Sequence, residues 1–142
     1  MRADLAKLEQ EALSLMNSGD IKQAAELFSR IIEQRPDYEH GQTLYNLAGC
    51  YEDLGQLDEA KRYYLRALEY GPHNEIILGG YASFLYLYGD PQQAFDAHLT
   101  LLRLERSNRN SQGAERTVIA LKELAKRLGL TEYEVIEKTE FH

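Results

Sequence analysis

The sequence predicts an all-α fold made of repeated pairs of antiparallel helices. Three glycines, Gly19, Gly55 and Gly89, recur at intervals of 36 and 34 residues within similar stretches of sequence. An alanine follows five residues after each glycine, and apolar residues at helical spacing precede it. Internal similarity at this period indicates an array in which each helix pair stacks on the next to bury its apolar face.

The first repeat is predicted at residues 5–38, with its two helices joined by a turn at Gly19. We expect the alanines of the two helices to allow close approach and Phe28 to fill the space between them. Pro36 ends the second helix because proline cannot continue the backbone hydrogen bonds. The residues that carry the pattern in this repeat are Leu8, Ala12, Leu15, Ala24, Phe28 and Ile31.

The second repeat is predicted at residues 41–74 and is the most regular of the three. Two extra residues, Glu39 and His40, separate it from the first. Its predicted inner residues are Leu44, Leu47, Ala48, Tyr51, Ala60, Tyr64 and Ala67, and Pro72 closes it.

The third repeat is predicted at residues 75–108 and has Arg106 where the closing proline is expected. Its inner residues are Leu78, Tyr81, Ala82, Leu85, Ala94, His98 and Leu101.

Left-handed backbone is expected at the three turn glycines, where it costs glycine little. We expect Asp20, Asp58 or Asp90 to cap the helix that follows each turn, with Pro91 in a first helical turn.

These segments resemble tetratricopeptide repeats, whose pattern is W-x2-L-G-x2-Y, then A-x3-F, then P. In the second repeat the pattern is met with Leu44 in place of Trp and Ala48 in place of Gly. The resemblance covers roughly residues 5–108. It implies a right-handed superhelical array, the tetratricopeptide αα-superhelix, that serves as a non-catalytic adaptor, scaffold or chaperone-like module for protein interaction.

Residues 111–142 lack the glycine and alanine landmarks of the repeats. A stripe of apolar residues predicts one helix that caps the open end of the array. Thr131 and Glu134 form a capping-box pattern that predicts a short terminal helix. The stripe consists of Ala114, Val118, Leu121, Ala125 and Leu128.

The same C-terminal region resembles a DNA-binding helix-turn-helix, with Gly129 in the turn. The helix that would enter the groove carries Glu132, Glu134 and Glu137 against Lys138. Binding to phosphates requires the opposite charge, so we treat DNA binding as a minor alternative.

Composition indicates a protein of a reducing compartment that binds other proteins. The 142 residues carry a net charge of −7, which opposes nucleic acid and anionic membrane as partners. One cysteine, Cys50, excludes a disulfide framework within the chain. Asp4, Glu9 and Glu11 interrupt any apolar run near the start, so we expect a cytoplasmic protein without a secretory signal.

We expect no enzyme activity, metal site or cofactor. His40, His73, His98 and His142 are scattered without the i, i+4 spacing that suits a metal. No glycine-rich phosphate loop is present, and adjacent carboxylates such as Glu52-Asp53 diverge by about 100° on a helix.

The resemblance implies a concave groove lined by the first helix of each repeat, where a peptide or partner helix binds. Near Gly79 and Gly80 a ligand backbone could pass close to a helix surface that lacks side chains, although a tolerated weak first turn explains them equally well. The predicted groove residues are Glu9, Leu13, Met16, Tyr45, Asn46, Gly49, Glu52, Asp53, Gly79, Gly80, Ser83 and Tyr86.

The charge of these residues predicts a neutral or basic ligand. Some members of the family bind a chaperone's terminal carboxylate through Lys, Asn and Arg on the groove helices. Of the corresponding positions here, only Asn46 holds the required residue, and nearby acidic residues would repel an anionic peptide end. Self-assembly through exposed array ends, giving a homo-oligomer, is the alternative to peptide binding.

Overall fold

The computed structural model describes residues 4–140, apart from the side chains of Tyr133, Ile136 and Glu140. Residues 1–3, 141 and His142 lie outside the described part. Within it every regular element is helical, as the fold class predicts. The helices are α1 Leu5–Asn17, α2 Ile21–Gln34, a 3₁₀ helix Tyr38–Gly41, α3 Gln42–Asp53, α4 Leu57–Tyr70, α5 Glu75–Tyr88, α6 Pro91–Ser107, α7 Ser111–Leu128 and α8 Glu132–Glu140.

The chain divides into two compact units, residues 1–72 and residues 73–142. In the first unit α2 packs against α1 and α3, and α3 packs against α4. In the second unit α6 packs against α5 and α7, and α8 lies against α6 and α7. Each helix therefore buries its apolar face mainly against its sequence neighbours, as expected for a repeat protein.

Small and aromatic residues form the helix contacts in the predicted way. All six alanines at the predicted close approaches have no exposed surface. Phe28, Tyr64 and His98 occupy equivalent positions and are at most 5% exposed. The buried alanines are Ala12, Ala24, Ala48, Ala60, Ala82 and Ala94.

The turn glycines differ in why they are needed. Gly19 and Gly55 adopt left-handed backbone, with φ of +88° and +76°, which confirms the prediction for these two. The prediction is wrong for Gly89, whose φ is −100°. A Cβ there would lie 2.8 Å from a side-chain carbon of Leu85, so close packing favours glycine at this turn.

Aspartate caps one of the three helices that were expected to have such a cap. Asp90 accepts a hydrogen bond from the Gln92 N–H at 3.2 Å, and Pro91 occupies the first turn of α6. The prediction is wrong for Asp20, which precedes α2 without bonding its backbone, and for Asp58, which lies inside the first turn of α4.

The two extra residues between the first two helix pairs form a tight left-handed turn. Glu39 and His40 have φ of +56° and +52°, and Gly41 follows at +95°. At Gly41 the backbone passes so close to α4 that a Cβ would lie 2.6 Å from the Ala67 carbonyl oxygen. Glycine at this position therefore allows the turn to seat α3 against α4.

The C-terminal region contains both predicted helices, with a rotated buried face on α7. Leu121 and Ala125 are buried as expected, but Ala114, Val118 and Leu128 are half-buried. The fully buried positions on α7 include Gly113, Thr117 and Leu124. The capping box is confirmed, because the Thr131 hydroxyl and the Glu134 carboxylate exchange hydrogen bonds with each other's backbone N–H.

The described residues contain neither a membrane-spanning helix nor a cluster of metal-binding side chains. No helix within residues 4–140 is both long and apolar enough to span a bilayer. In the same range no three His, Cys, Asp or Glu side chains lie together in a way that could hold a metal ion.

Candidate protein-interaction surfaces

In the first unit, eight of the predicted groove residues lie on α1 and α3. Seven are half-buried, and Asp53 is exposed. They alternate with fully buried residues such as Leu44 and Leu47, so their side chains leave the core and reach solvent. We call this set the first-unit face: Glu9, Leu13, Met16, Tyr45, Asn46, Gly49, Glu52 and Asp53.

Two tyrosines and a carboxylate hold one end of the first-unit face in place. The Tyr64 hydroxyl donates a hydrogen bond to Glu52 Oε1 at 2.7 Å. The Tyr45 ring meets the Tyr64 ring edge to face, with centroids 6.0 Å apart. Burial and the Glu52 charge raise the pKa of Tyr45, and burial and the bond to Glu52 raise that of Tyr64. Both tyrosines therefore stay neutral at physiological pH.

Negative charge accumulates at the other end of the first-unit face. Partial burial and the charge of Glu39 raise the pKa of Glu9. Burial, Glu9 and Glu39 likewise raise the pKa of Tyr38. Burial disfavours any charge at Glu9, but the nearby carboxylates of Glu9 and Glu39 would both attract a cation placed between them.

Asn46 and Gly49 complete the middle of the first-unit face. Gln42 Nε2 donates to Asn46 Oδ1 at 3.4 Å, which leaves the Asn46 amide N–H groups available for a ligand. A Cβ at Gly49 would meet nothing within 4 Å, so this glycine leaves open space on α3.

In the second unit, two adjoining cavities of about 660 and 480 Å³ lie between α5 and α7, with α6 at their floor. Ser83, His98, Arg116 and Ala120 line both. We call them together the second-unit groove. Of the groove residues predicted on α5, Gly79, Ser83 and Tyr86 line it, while Gly80 is half-buried outside the lining.

The sequence reasoning missed the contribution of α7 to the second-unit groove. Arg116, Ile119, Lys122 and Lys126 line its larger cavity. The sequence analysis interpreted α7 as a capping helix and assigned none of these residues to a groove. Their spacing of three, three and four residues nevertheless places them on one helix face. That spacing is the signal by which sequence analysis could have found them.

Tyr86 lines the larger cavity and contacts two further side chains. The Arg127 guanidinium carbon sits 4.7 Å from its ring centroid, within cation-π distance. The His98 ring approaches its edge, with centroids 6.2 Å apart. His98 Nδ1 lies 2.7 Å from the Ala94 carbonyl oxygen, so it carries the proton and Nε2 is the hydrogen-bond acceptor.

The smaller cavity has a buried carboxylate in its wall. Glu105 is 6% exposed and accepts a hydrogen bond from the Thr117 hydroxyl at 2.5 Å. Burial and the Glu75 charge raise the pKa of Glu105, while the Thr117 bond and the Arg116 charge partly offset that rise. At Gly113 a Cβ would overlap the Glu105 carboxylate, so α7 packs here only because this residue is glycine.

Cys50 has the properties of a core residue. It has no exposed surface, and burial together with the Asp53 charge raises the pKa of its thiol to about 11. The reactive thiolate form is therefore scarce at neutral pH.

The chain is a helical-repeat protein, because its antiparallel helix pairs stack and small residues lie where the helices of each pair meet. The first helix of each pair also carries a polar, half-exposed face. The tetratricopeptide repeat family model matches two overlapping ranges, residues 10–75 and 51–109. The chain therefore belongs to the tetratricopeptide repeat family.

Solved structures agree with the fold. A chain of a T3SS complex from Aeromonas hydrophila superposes with a TM-score of 0.77 at 17% identity, covering 89% of this chain and 84% of that one. The Sgt2 tetratricopeptide domain from Aspergillus fumigatus superposes with a TM-score of 0.69 at 20% identity, covering 88% and 83%. At such identities the likeness concerns the fold alone.

One curated relative is similar over part of the chain. Lipopolysaccharide assembly protein B of Haemophilus influenzae is 36% identical over 63 residues. The match covers 44% of this chain and 16% of that protein, so the chain corresponds to a small part of the relative's length.

Proposed function

We propose that the chain is a non-catalytic protein-interaction module whose first-unit face binds a neutral or basic peptide or partner helix. The observation that carries this proposal is the first-unit face itself, which presents Tyr45, Leu13 and Met16 half-exposed beside the carboxylates of Glu9 and Asp53. Amphipathic anchors with charge at the rim are typical of peptide-binding surfaces. Membership of the tetratricopeptide repeat family supports a binding role over an enzymatic one.

A scaffold role in assembly is the biological setting we propose. The partial similarity to a protein named for lipopolysaccharide assembly supports it. A single buried thiol supports a reducing, cytoplasmic location. Fractionation of source cells checks the location, and recovery from an oxidising compartment would contradict it.

The binding test compares two labelled synthetic peptides that differ in charge alone. One has a Leu-Phe pair flanked by lysines, and the other has glutamines in their place. Fluorescence anisotropy should show that both peptides bind the wild-type chain. The double variant Glu9→Gln, Asp53→Asn should lower the affinity for the lysine peptide about 3- to 10-fold, because each substitution removes a favourable charge pair worth up to about 1 kcal/mol. Glu52 is kept, since its bond to Tyr64 supports the fold.

The matched control for this test is Glu33→Gln with Asp58→Asn. Both residues are exposed and lie on α2 and α4 of the same unit, away from the first-unit face. If the control pair lowers the affinity equally, the loss of binding comes from the overall charge of the chain and not from the first-unit face. If neither peptide binds, the proposal is wrong.

Self-association is a second candidate, favoured by apolar exposure in the second unit. Ile76, Leu87, Tyr88 and Ile119 are each more than half exposed there. Exposed apolar clusters of this kind mark contact surfaces. Light scattering over a wide concentration range tests it, and a constant mass of 16.3 kDa would remove this candidate.

A further inference from the structure

We propose that the second-unit groove binds an acidic peptide segment in which a large apolar side chain is flanked by glutamate or aspartate. This inference rests on the proposed role in protein interaction and assigns a ligand class to a second surface. It differs from the ligand proposed for the first-unit face because α7 supplies positive charge that the groove helices predicted from the sequence lack.

The positive charge of the groove forms a stripe along α7. Arg116, Lys122 and Lys126 all line the larger cavity, against one lining carboxylate, Glu123. None of the three cations forms an ion pair within 4 Å with another described side chain. Lys122 and Lys126 are four residues apart, so their like charges repel each other on one face of the helix. A bound carboxylate would relieve this repulsion.

Apolar side chains border the same cavity. Ile119 is 69% exposed and Leu87 is 62% exposed, although both line it. The Tyr86 ring lines the same cavity and is held by Arg127 and His98. An apolar side chain from a ligand would cover these groups and remove them from water. Aliphatic rims suit a peptide better than the phosphate backbone of a nucleic acid.

The groove has a second, oppositely charged end that orients the ligand. Glu75 and Glu105 line the smaller cavity against one cation, Arg116, so a ligand carboxylate is less favoured there than beside Lys122 and Lys126. Ser83 and the acceptor nitrogen of His98 lie where the two cavities join and can bond backbone or side-chain groups of an extended segment. Acidic ligand residues are therefore expected beside Lys122 and Lys126, with neutral residues toward Glu105.

The test titrates the full chain with a labelled synthetic peptide in which a Leu-Phe pair is flanked on each side by two glutamates. The double variant Lys122→Glu, Lys126→Glu should weaken binding at least about tenfold, and raising salt from low to physiological strength should weaken the wild type in the same direction. Ile119→Ala, which leaves every charge in place, should weaken binding about 3- to 10-fold through lost apolar burial.

Matched controls are Arg103→Glu with Lys138→Glu, exposed cations of the same unit outside the groove, and Leu65→Ala for the apolar change. Equal loss with the controls, or unchanged binding of the acidic peptide by the Lys122→Glu, Lys126→Glu variant, would overturn the proposal. If the groove variant instead converts an oligomer to a monomer and the acidic peptide fails to bind, the groove's occupant is a second copy and the proposal is wrong. Loss of lysine-peptide binding at the first-unit face leaves this result unaffected, so the two proposals fail separately.

Discussion

Three glycines of the first unit carry different local constraints. Gly41 has φ of +95° and no room for a Cβ beside Ala67, Gly55 has φ of +76° with open space, and Gly49 lies inside α3 with open space. Alanine should therefore destabilise the fold by about 3 kcal/mol at Gly41 and about 1 kcal/mol at Gly55.

At Gly49 the same change should stabilise the chain by about 0.5–1 kcal/mol, because alanine loses less entropy in a helix. Urea unfolding of the three alanine variants checks the order. A Gly41→Ala variant as stable as Gly55→Ala would show that the contact with α4 is looser than described.

His98 should make stability depend on pH. Burial lowers its pKa below the ordinary value of 6.5, and the bond to the Ala94 carbonyl opposes that shift. As pH falls through 6.5 the unfolded chain takes up a proton that the folded chain does not, so stability present above 6.5 is lost toward the lower, folded pKa. His98→Phe should lose less stability than the wild type between pH 7.5 and pH 5.

Phenylalanine fits this position because Phe28 occupies the equivalent one in the first repeat. Thermal unfolding across the pH range measures the difference in stability between His98→Phe and the wild type. Contributions from other groups such as Glu105 are common to both proteins and cancel in this difference. Parallel pH curves for His98→Phe and wild type would contradict the assignment.

At the scale of the element, caps distinguish helices that the sequence makes look alike. Asp90 bonds the N-terminal backbone of α6, while Asp20 precedes α2 and accepts a bond from the Ser18 hydroxyl instead. Asp90→Ala should cost about 1 kcal/mol, and Asp20→Ala less than about 0.5 kcal/mol. Chemical denaturation of both variants tests this, and equal costs would mean that helix-dipole effects outweigh the capping bond.

The helix α7 shows how an element can have two roles. Its buried residues Gly113, Thr117 and Leu121 pack on α6, as a cap would, while Arg116 and Lys122 line a cavity. The hydrophobic stripe predicted the first role and placed its edge incorrectly at Ala114 and Val118, because Gly113 and Thr117 are poor hydrophobic signals that nevertheless fit the narrow space beside Glu105.

At the scale of the whole molecule, net charge argues against nucleic acid as a partner. The chain carries −7, and the terminal helix that would enter a DNA groove has acidic residues at Glu132, Glu134 and Glu137. A mobility-shift assay at about 50 mM salt, where electrostatic binding is strongest, should show no complex with duplex DNA at micromolar protein. A basic protein of similar size serves as the positive control, and a salt-sensitive shift would contradict this expectation.

The sequence by itself determined the helix pairs, their small-residue contacts and the family. Ala48, Ala60 and Gly55 identify these features because close helix approach and left-handed turns restrict which residues are possible. The tertiary structure alone decided which face of α7 is buried and which charges line the two candidate surfaces. It also decided that close packing, and not left-handed backbone, favours glycine at Gly89. These depend on how neighbouring helices pack, and a sequence pattern shows which side of a helix is apolar but not which charged side chains from another helix share its cavity.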